Sequence, residues 1–249
     1  LQEPRKIYVR YPHLDFTYYM FEKEYTKKPS VILSDEHDDY AWVTLDEALA
    51  LPLVPGWKEA FYQFLALKSM PLIPNKEFYF IRHGETDVNA DPNTKRVDYD
   101  LPLNTRGVQQ AIALRSGLPQ LPIRRVISSP IQRATQTRDL ILEGRAIDSS
   151  EDERISECKA DVWTKMVPLE GGNDYVRSLS VESFLSRILS GVASALYEEG
   201  VPLIVAHGGT HWALCYSLMI ENHPWKIGNC KIVHFYPAAE GCWVAQVIA

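Results

Sequence analysis

Arg82, His83 and Gly84 stand together where an apolar run, Glu77-Phe78-Tyr79-Phe80-Ile81, stops, and Glu85-Thr86 follow at once. A permanent cation, an imidazole and a backbone without a side chain, gathered at the end of a predicted strand, can bind a phosphate and attack it. The competing reading of such a histidine, taken alone, is a hydrogen-bonded structural side chain. Two further places bear on the choice. Arg133 follows a second predicted strand, Arg125 to Ser128, and His207 follows a third, Pro202 to Ala206. In a parallel sheet the three strand ends share one edge, so two arginines and two histidines would converge there. Phosphoryl transfer asks for positioning and for charge stabilisation on the equatorial oxygens, and the planar guanidinium fork suits that task. A nucleophilic His83 must also keep an unprotonated ring nitrogen, which neighbouring cations favour.

Such a convergence requires strands and helices in alternation. Glu77 to Arg82 reads as a strand, Thr105 to Arg115 as a helix and Arg125 to Ser128 as a short strand. Ser129-Pro130-Ile131-Gln132 reads as a capping box with proline at the first helical position, opening a helix to about Leu142. Phe184, Leu185, Ile188, Leu189, Val192, Ala195 and Leu196 recur at the spacing of an amphipathic helix that starts near Val181. Gly200 and Pro202 end it, and the strand that follows runs into His207-Gly208-Gly209 and another helix. Lys231 to Tyr236 and Trp243 to Ile248 are two last strands around a turn at Glu240-Gly241. The order predicts an α/β fold, a three-layer α/β/α sandwich with a mostly parallel sheet that binds ligands beyond its strands' carboxyl ends.

Residues 66–76 carry two prolines and little periodicity, and predict a linker between a segment over 1–70 and a domain over 76–249. In the first part Ile7 to Tyr11 and Phe16 to Phe21 read as strands, and Ala41-Trp42-Val43 as a third. Thr44-Leu45-Asp46-Glu47 is a capping box for a short helix that stops before Pro52. Trp57, Phe61, Phe64 and Leu65 share one helical face. This small α+β segment is marginal as an independent domain.

Over 249 residues, 46% apolar and 23% charged content are those of an ordinary globular protein. A net charge of −6 argues against a nucleic-acid polymer as partner, while a local arginine cluster still admits a small anionic substrate. Cys158, Cys215, Cys230 and Cys242 form no CxxC pair and no zinc spacing, which predicts reduced thiols in a cytoplasmic protein. No apolar stretch reaches membrane-span length and no signal-peptide pattern opens the chain, so no membrane association is expected. The first residue is Leu1 rather than Met, from which an incomplete N-terminus is expected.

Four ordered blocks resemble the histidine phosphatase superfamily, the phosphoglycerate-mutase-like enzymes, across residues 76–249. They are Arg-His-Gly-Glu-Thr-x-x-Asn (Arg82 to Asn89), Leu-Asn-Thr-Arg-Gly-x-x-Gln-Ala (Leu103 to Ala111), Ser-Ser-Pro-x-x-Arg-Ala-x-Gln-Thr (Ser128 to Thr137) and Val-Ala-His-Gly-Gly (Val205 to Gly209). The resemblance implies that His83 attacks phosphorus and becomes phosphohistidine. It places Arg82, Arg133 and His207 around the phosphoryl oxygens, with Asn89 at the rim and Thr86 and Gly208 among the substrate-binding positions. It implies no cofactor and no metal. The stretch Ile155 to Trp163 resembles the family's glutamate followed six residues later by tryptophan, which makes Glu157 the candidate general acid and later base. A surface carboxylate is the alternative, since Asp161 stands where many relatives have glycine. Glu85 is expected to serve structurally, as are His211 and Trp212. His13, His37, His223 and His234 receive no role.

Departures from the family pattern narrow the expected activity. Val97-Asp98 stands where mutases usually carry glycine with an aromatic residue, and Cys158 to Ala160 lack the mutase arginine and tyrosine. These favour a phosphatase over a mutase. Residues 7–65 are similar to the C-terminal half of a Nudix hydrolase domain, through Tyr8 to Phe16 and Tyr40 to Leu49, but the chain has no Nudix box to ligate magnesium. A missing Nudix half or a partner chain at the N-terminus is therefore an expected partner. Remaining alternatives are nucleotide clean-up by a Nudix fusion, dephosphorylation of a phosphohistidine protein, and a binding module for phosphorylated ligands without turnover.

Overall fold

The computed structural model describes residues 5–11, 14–58, 60–61, 64–65, 70–91, 100–160, 162–163, 179–220, 227–238 and 242–248. They fall into two compact units, Leu1–Ser69 and Met70–Ala249.

In the first unit β1 (Arg5–Tyr11) and β2 (Leu14–Met20) pair as an antiparallel hairpin. Thr44 caps the helix Leu45–Ala50: its hydroxyl accepts from the Glu47 amide at 3.3 Å, and the Glu47 carboxylate accepts from the Thr44 amide at 2.7 Å. That reciprocal box is the arrangement expected from the sequence. Phe61 stacks on Trp57 and Phe64, with ring centroids 5.0 and 6.4 Å away, as the i, i+3, i+4 spacing requires. The third strand does not form. Ala41-Trp42-Val43 is exposed coil, with no neighbouring strand to supply a hydrogen-bond ladder among the described residues. One of the strands on which the Nudix likeness leaned is thus absent.

The larger unit is built on β3 (Phe78–Arg82), β4 (Ile123–Ser128), β5 (Asp148–Glu151), β6 (Val201–Ala206), β7 (Ile232–Pro237) and β8 (Trp243–Val247). They form one sheet in the order β5-β4-β6-β3-β7-β8. The pairings β5/β4, β4/β6 and β6/β3 are parallel, while β3/β7 and β7/β8 are antiparallel. The sheet is therefore mixed, with helices on both sides. Period-two alternation divides the side chains between the faces. Tyr79, Ile81, Val126, Leu203, Val205 and Ile232 meet Ala111, Ala134 and Ile141 from the helices Thr105–Ala113 and Gln132–Leu142. Phe80 and Phe235 lie on the other face against His211, with centroids 5.6 and 5.9 Å away. His211 and Trp212 are buried core residues of the helix Gly208–Ser217, as expected.

Two local expectations differ. Ser129 and Gln132 make no capping box, because the helix begins at Gln132 with Ile131 at its cap. The Ser129 hydroxyl instead accepts from the Ile131 amide at 3.3 Å, a turn within the Ser-Pro stretch. The Gln132 amide is satisfied from outside, by the Asp100 carboxylate at 2.6 Å. The edge strand β5 carries Asp-Ser-Ser-Glu, exposed throughout, and has no apolar alternation to announce it. Its register with β4 and its charges fit an edge that must not recruit another strand. The expected turn at Glu240-Gly241 lies outside the described residues. Among those residues, no helix is long and apolar enough to cross a membrane.

Candidate active site

Parallel pairing sets the site. Arg82 lies opposite Ala206 and Ser128 opposite Val205, so β3, β6 and β4 end at one level. The ladder continues one step beyond each strand: the His83 amide donates to Ala206 O at 2.9 Å, and the Ser129 amide to Val205 O at 3.0 Å. His83 and His207 are thereby delivered side by side, with ring centroids 5.2 Å apart.

The hydrogen bonds of His83 define its tautomer. Nδ1 lies 2.7 Å from Gly84 O, which can only accept, so Nδ1 carries the proton. Nε2 accepts from Arg133 Nε at 3.0 Å. The contact with Arg133 requires a lone pair on Nε2, and that nitrogen faces the cation an incoming phosphoryl group would meet. The ring is 3% exposed, which restricts its rotation. Gly84 makes this geometry possible: a Cβ there would come 2.6 Å from Gly107 O. Its amide donates to Thr137 Oγ1 at 3.0 Å, and that hydroxyl donates to Arg133 O at 2.7 Å. One threonine thus links the loop that follows His83 to the helix that carries Arg133.

His207 is wholly buried, and neither ring nitrogen finds a hydrogen-bond partner among the described residues. Burial, and then the positive charges of Arg133, Arg82 and Arg187, hold its pKa well below the usual histidine value. A buried polar group without a partner is costly, and a phosphoryl oxygen would relieve it. Arg82 donates from Nη1 to Ile227 O at 2.6 Å. A Cβ on Gly208 would lie 3.7 Å from Arg82 Nε and 3.8 Å from the Trp163 ring, so Gly208 leaves a gap between cation and aromatic edge.

Glu157 is 9% exposed and belongs to this cluster rather than to an open surface. Its Oε2 accepts from the Gly209 amide at 3.3 Å and its Oε1 from the Cys158 amide at 3.0 Å. The carboxylate therefore sits at the N-terminus of the helix that follows His207. Thr86 is buried, and its amide donates to Asn89 Oδ1 at 3.3 Å. Every candidate named from the sequence (Arg82, His83, Thr86, Asn89, Arg133, Glu157, His207 and Gly208) thus lies at or beside this edge. Glu85 is structural, accepting from Asn104 Nδ2 at 3.1 Å and facing Arg106 at 3.6 Å. His37 meets Ser34, and His234 meets Glu77 at 2.7 Å. Val97, Asp98 and Asp161, together with His13 and His223, lie outside the described residues.

Two contributors carry no signal in the motifs. Asn229 donates from Nδ2 to His83 O at 2.8 Å and to Asn89 Oδ1 at 3.3 Å, tying the His83 backbone to Asn89. Arg187 binds the segment that bears Glu157. The polar Arg187, spaced among apolar residues of one helix, was the only available hint. Cys230 lies under Arg82, its amide donating to Arg82 O at 2.9 Å, and burial pushes its thiol up to about 12.

Comparison with known proteins places this geometry. The chain is 25% identical over 172 residues to a probable phosphoglycerate mutase of Escherichia fergusonii, covering 69% of the chain and 74% of that relative. It is 26% identical over 190 residues to the adenosylcobalamin/alpha-ribazole phosphatase of Salmonella typhimurium, covering 67% and 88%. It is 28% identical over 185 residues to agropine synthesis reductase of Rhizobium rhizogenes, of whose length it spans 41%. In fold it is similar to phosphoserine phosphatase from Entamoeba histolytica, with a TM-score of 0.54, 21% identity, and coverage of 70% of this chain and 96% of that one. The family model of the histidine phosphatase superfamily, branch 1, matches residues 78–248. The Nudix likeness of the N-terminal unit draws no support from that match. The chain belongs to the histidine phosphatase superfamily, and its relatives there support a phosphatase or mutase role.

Proposed function

We propose that this chain is a metal-independent phosphatase that hydrolyses a small phosphorylated metabolite or nucleotide through a phosphohistidine on His83. The observation that carries the reading is the fixed tautomer of His83, with its Nε2 lone pair turned toward Arg133 and 5.2 Å between its ring and that of His207. A phosphoryl group bound there accepts hydrogen bonds from Arg82, Arg133 and His207, and Nε2 attacks phosphorus as the bond to the leaving oxygen breaks. Glu157 gives the leaving oxygen its proton, then takes one from the water that breaks the phosphorus–nitrogen bond. Nδ1–H donates to Gly84 O throughout and holds the ring in line. The four cysteines show no CxxC pair and no zinc spacing, and Cys158, Cys215 and Cys230 are buried, which fits a reducing, cytoplasmic setting.

A mutase is the second reading, favoured by the likeness to a probable phosphoglycerate mutase. Against it, Cys158 is buried and Lys159 and Ala160 are exposed, so this stretch offers no arginine or tyrosine to retain a phosphorylated product. Para-nitrophenyl phosphate with EDTA tests the proposal. Wild type should release phosphate in steady turnover while His83→Ala does not. Equal release by both proteins sinks it. A mutase would transfer the phosphoryl group between phosphoglycerate positions faster than to water, and a pure binding module would turn over neither substrate.

A further inference from the structure

Residues Glu153 to Glu157 run as a short 3-10 turn followed by extended chain, so few of their carbonyls find partners in regular structure. Their partners are side chains of two helices. Arg187 Nη1 donates to Glu153 O at 3.0 Å and to Arg154 O at 2.7 Å. Its Nη2 donates to Ser156 O at 2.8 Å, with a longer contact to Glu157 O at 3.5 Å. Thr210 Oγ1, from the helix after His207, donates to Ile155 O at 3.2 Å.

The helix Leu179–Tyr197 is shaped for this grip. Arg187, Ser190, Gly191 and Ser194 fall at i, i+3, i+4 and i+7, one polar and small stripe on a helix otherwise apolar toward the core. Arg154 Nη1 donates to Ser194 Oγ at 2.9 Å. A Cβ on Gly191 would come 2.9 Å from Ile155 Cγ2, so glycine lets the helix approach the segment closely. At the far end of that segment the Glu157 carboxylate meets the Gly209 amide.

We infer that Arg187 is a positioning residue for phosphoryl transfer: its guanidinium clamps the 153–157 backbone so that Glu157 reaches the leaving oxygen. The inference rests on the role of Glu157 proposed above. An arginine is needed because a planar fork spans several carbonyls at once, whereas a lysine ammonium is a single point of donation. Displacing a proton donor by about 1 Å costs on the order of a hundredfold in rate. In the first transfer the loss should fall only on leaving groups that need the proton, while the later hydrolysis, common to all substrates, slows for each alike.

Phenyl phosphate and para-nitrophenyl phosphate have nearly the same shape, but nitrophenolate departs without protonation and phenolate does not. With Arg187→Met in the full chain, kcat/KM, which reports the transfer to His83 and not the later hydrolysis, should fall by about 30- to 100-fold on phenyl phosphate and by no more than about threefold on para-nitrophenyl phosphate. Arg187→Lys should recover part of the loss, and guanidinium ion added to Arg187→Ala should recover it in a saturable way. In a Glu157→Gln background the Arg187→Met change should add nothing further on phenyl phosphate. Equal losses of kcat/KM on both substrates, or a full additional loss in that background, would overturn the clamp while leaving the phosphatase reading intact. If kcat/KM of Glu157→Gln itself shows no dependence on the leaving group, the acid role of Glu157 fails and the inference falls with it. Loss of all turnover in His83→Ala but not in Arg187→Met keeps the two questions apart.

Discussion

At the scale of single residues the site is a set of donors arranged around one lone pair. Arg133 holds the Nε2 of His83 until an anion takes its place, so Arg133→Ala should leave the nucleophile intact and the transition state poorly stabilised. A loss of about 10² to 10³ in kcat on para-nitrophenyl phosphate is expected, the range for removing one such donor. His207 adds a pH dependence. Its folded pKa lies below that of the unfolded chain, so below about pH 6.5 the unfolded state binds a proton that the folded state does not. Its contribution to stability is therefore present above about pH 6.5 and is lost as pH falls toward the folded value, by up to about 1.4 kcal/mol per pH unit. Urea midpoints between pH 7.5 and 5 should fall in the wild type and fall less steeply in His207→Gln. His83, Arg133 and His207 were legible in the sequence because each side chain's chemistry coincides with a strand end. Arg187 and Asn229 were not, because they bind backbone carbonyls, and a carbonyl leaves no mark on residue type.

The elements matter through how closely they approach one another. Gly84 and Gly107 pack backbone on backbone, and Gly84→Ala should destabilise the larger unit by about 1–3 kcal/mol in urea unfolding. Gly209→Ala should behave differently. It sits in a helix, where alanine is favoured by about 0.5–1 kcal/mol, yet its Cβ would occupy the place of the Glu157 carboxylate. Stability should hold while turnover of phenyl phosphate drops, a separation that calorimetry and kinetics on one variant would check. The strands β3, β4 and β6 were readable as apolar runs and the helix Leu179–Tyr197 from apolar periodicity, because each buries apolar side chains. β5 was not, since it is held by pairing with β4 alone and its four polar side chains face solvent. Ala41 to Val43 erred the other way, with β-forming side chains but no partner strand among the described residues to use them. Ser129 to Gln132 matched a capping pattern, but the turn consumed the serine hydroxyl first.

For the whole molecule, the family match and the site both lie within the larger unit. A fragment spanning residues 70–249 should fold cooperatively and turn over para-nitrophenyl phosphate within about threefold of the full chain, since every residue assigned a role is in it. Loss of activity in a folded fragment would give the N-terminal unit a part in catalysis. The overall charge of −6 coexists with Arg82 and Arg133 at one sheet edge, so inorganic phosphate should compete for the site despite the acidic chain. The central claim is that the phosphoryl group rests on His83 before it reaches water. Rapid quenching of the full chain with para-nitrophenyl phosphate at alkaline pH, then peptide mass spectrometry, tests it most directly. The prediction is an acid-labile phosphoryl group on the peptide containing His83, absent from His83→Ala and accumulating in Glu157→Gln. Steady phosphate release with no phosphoryl group on His83 at any quench time, or with the label on another residue, would contradict it.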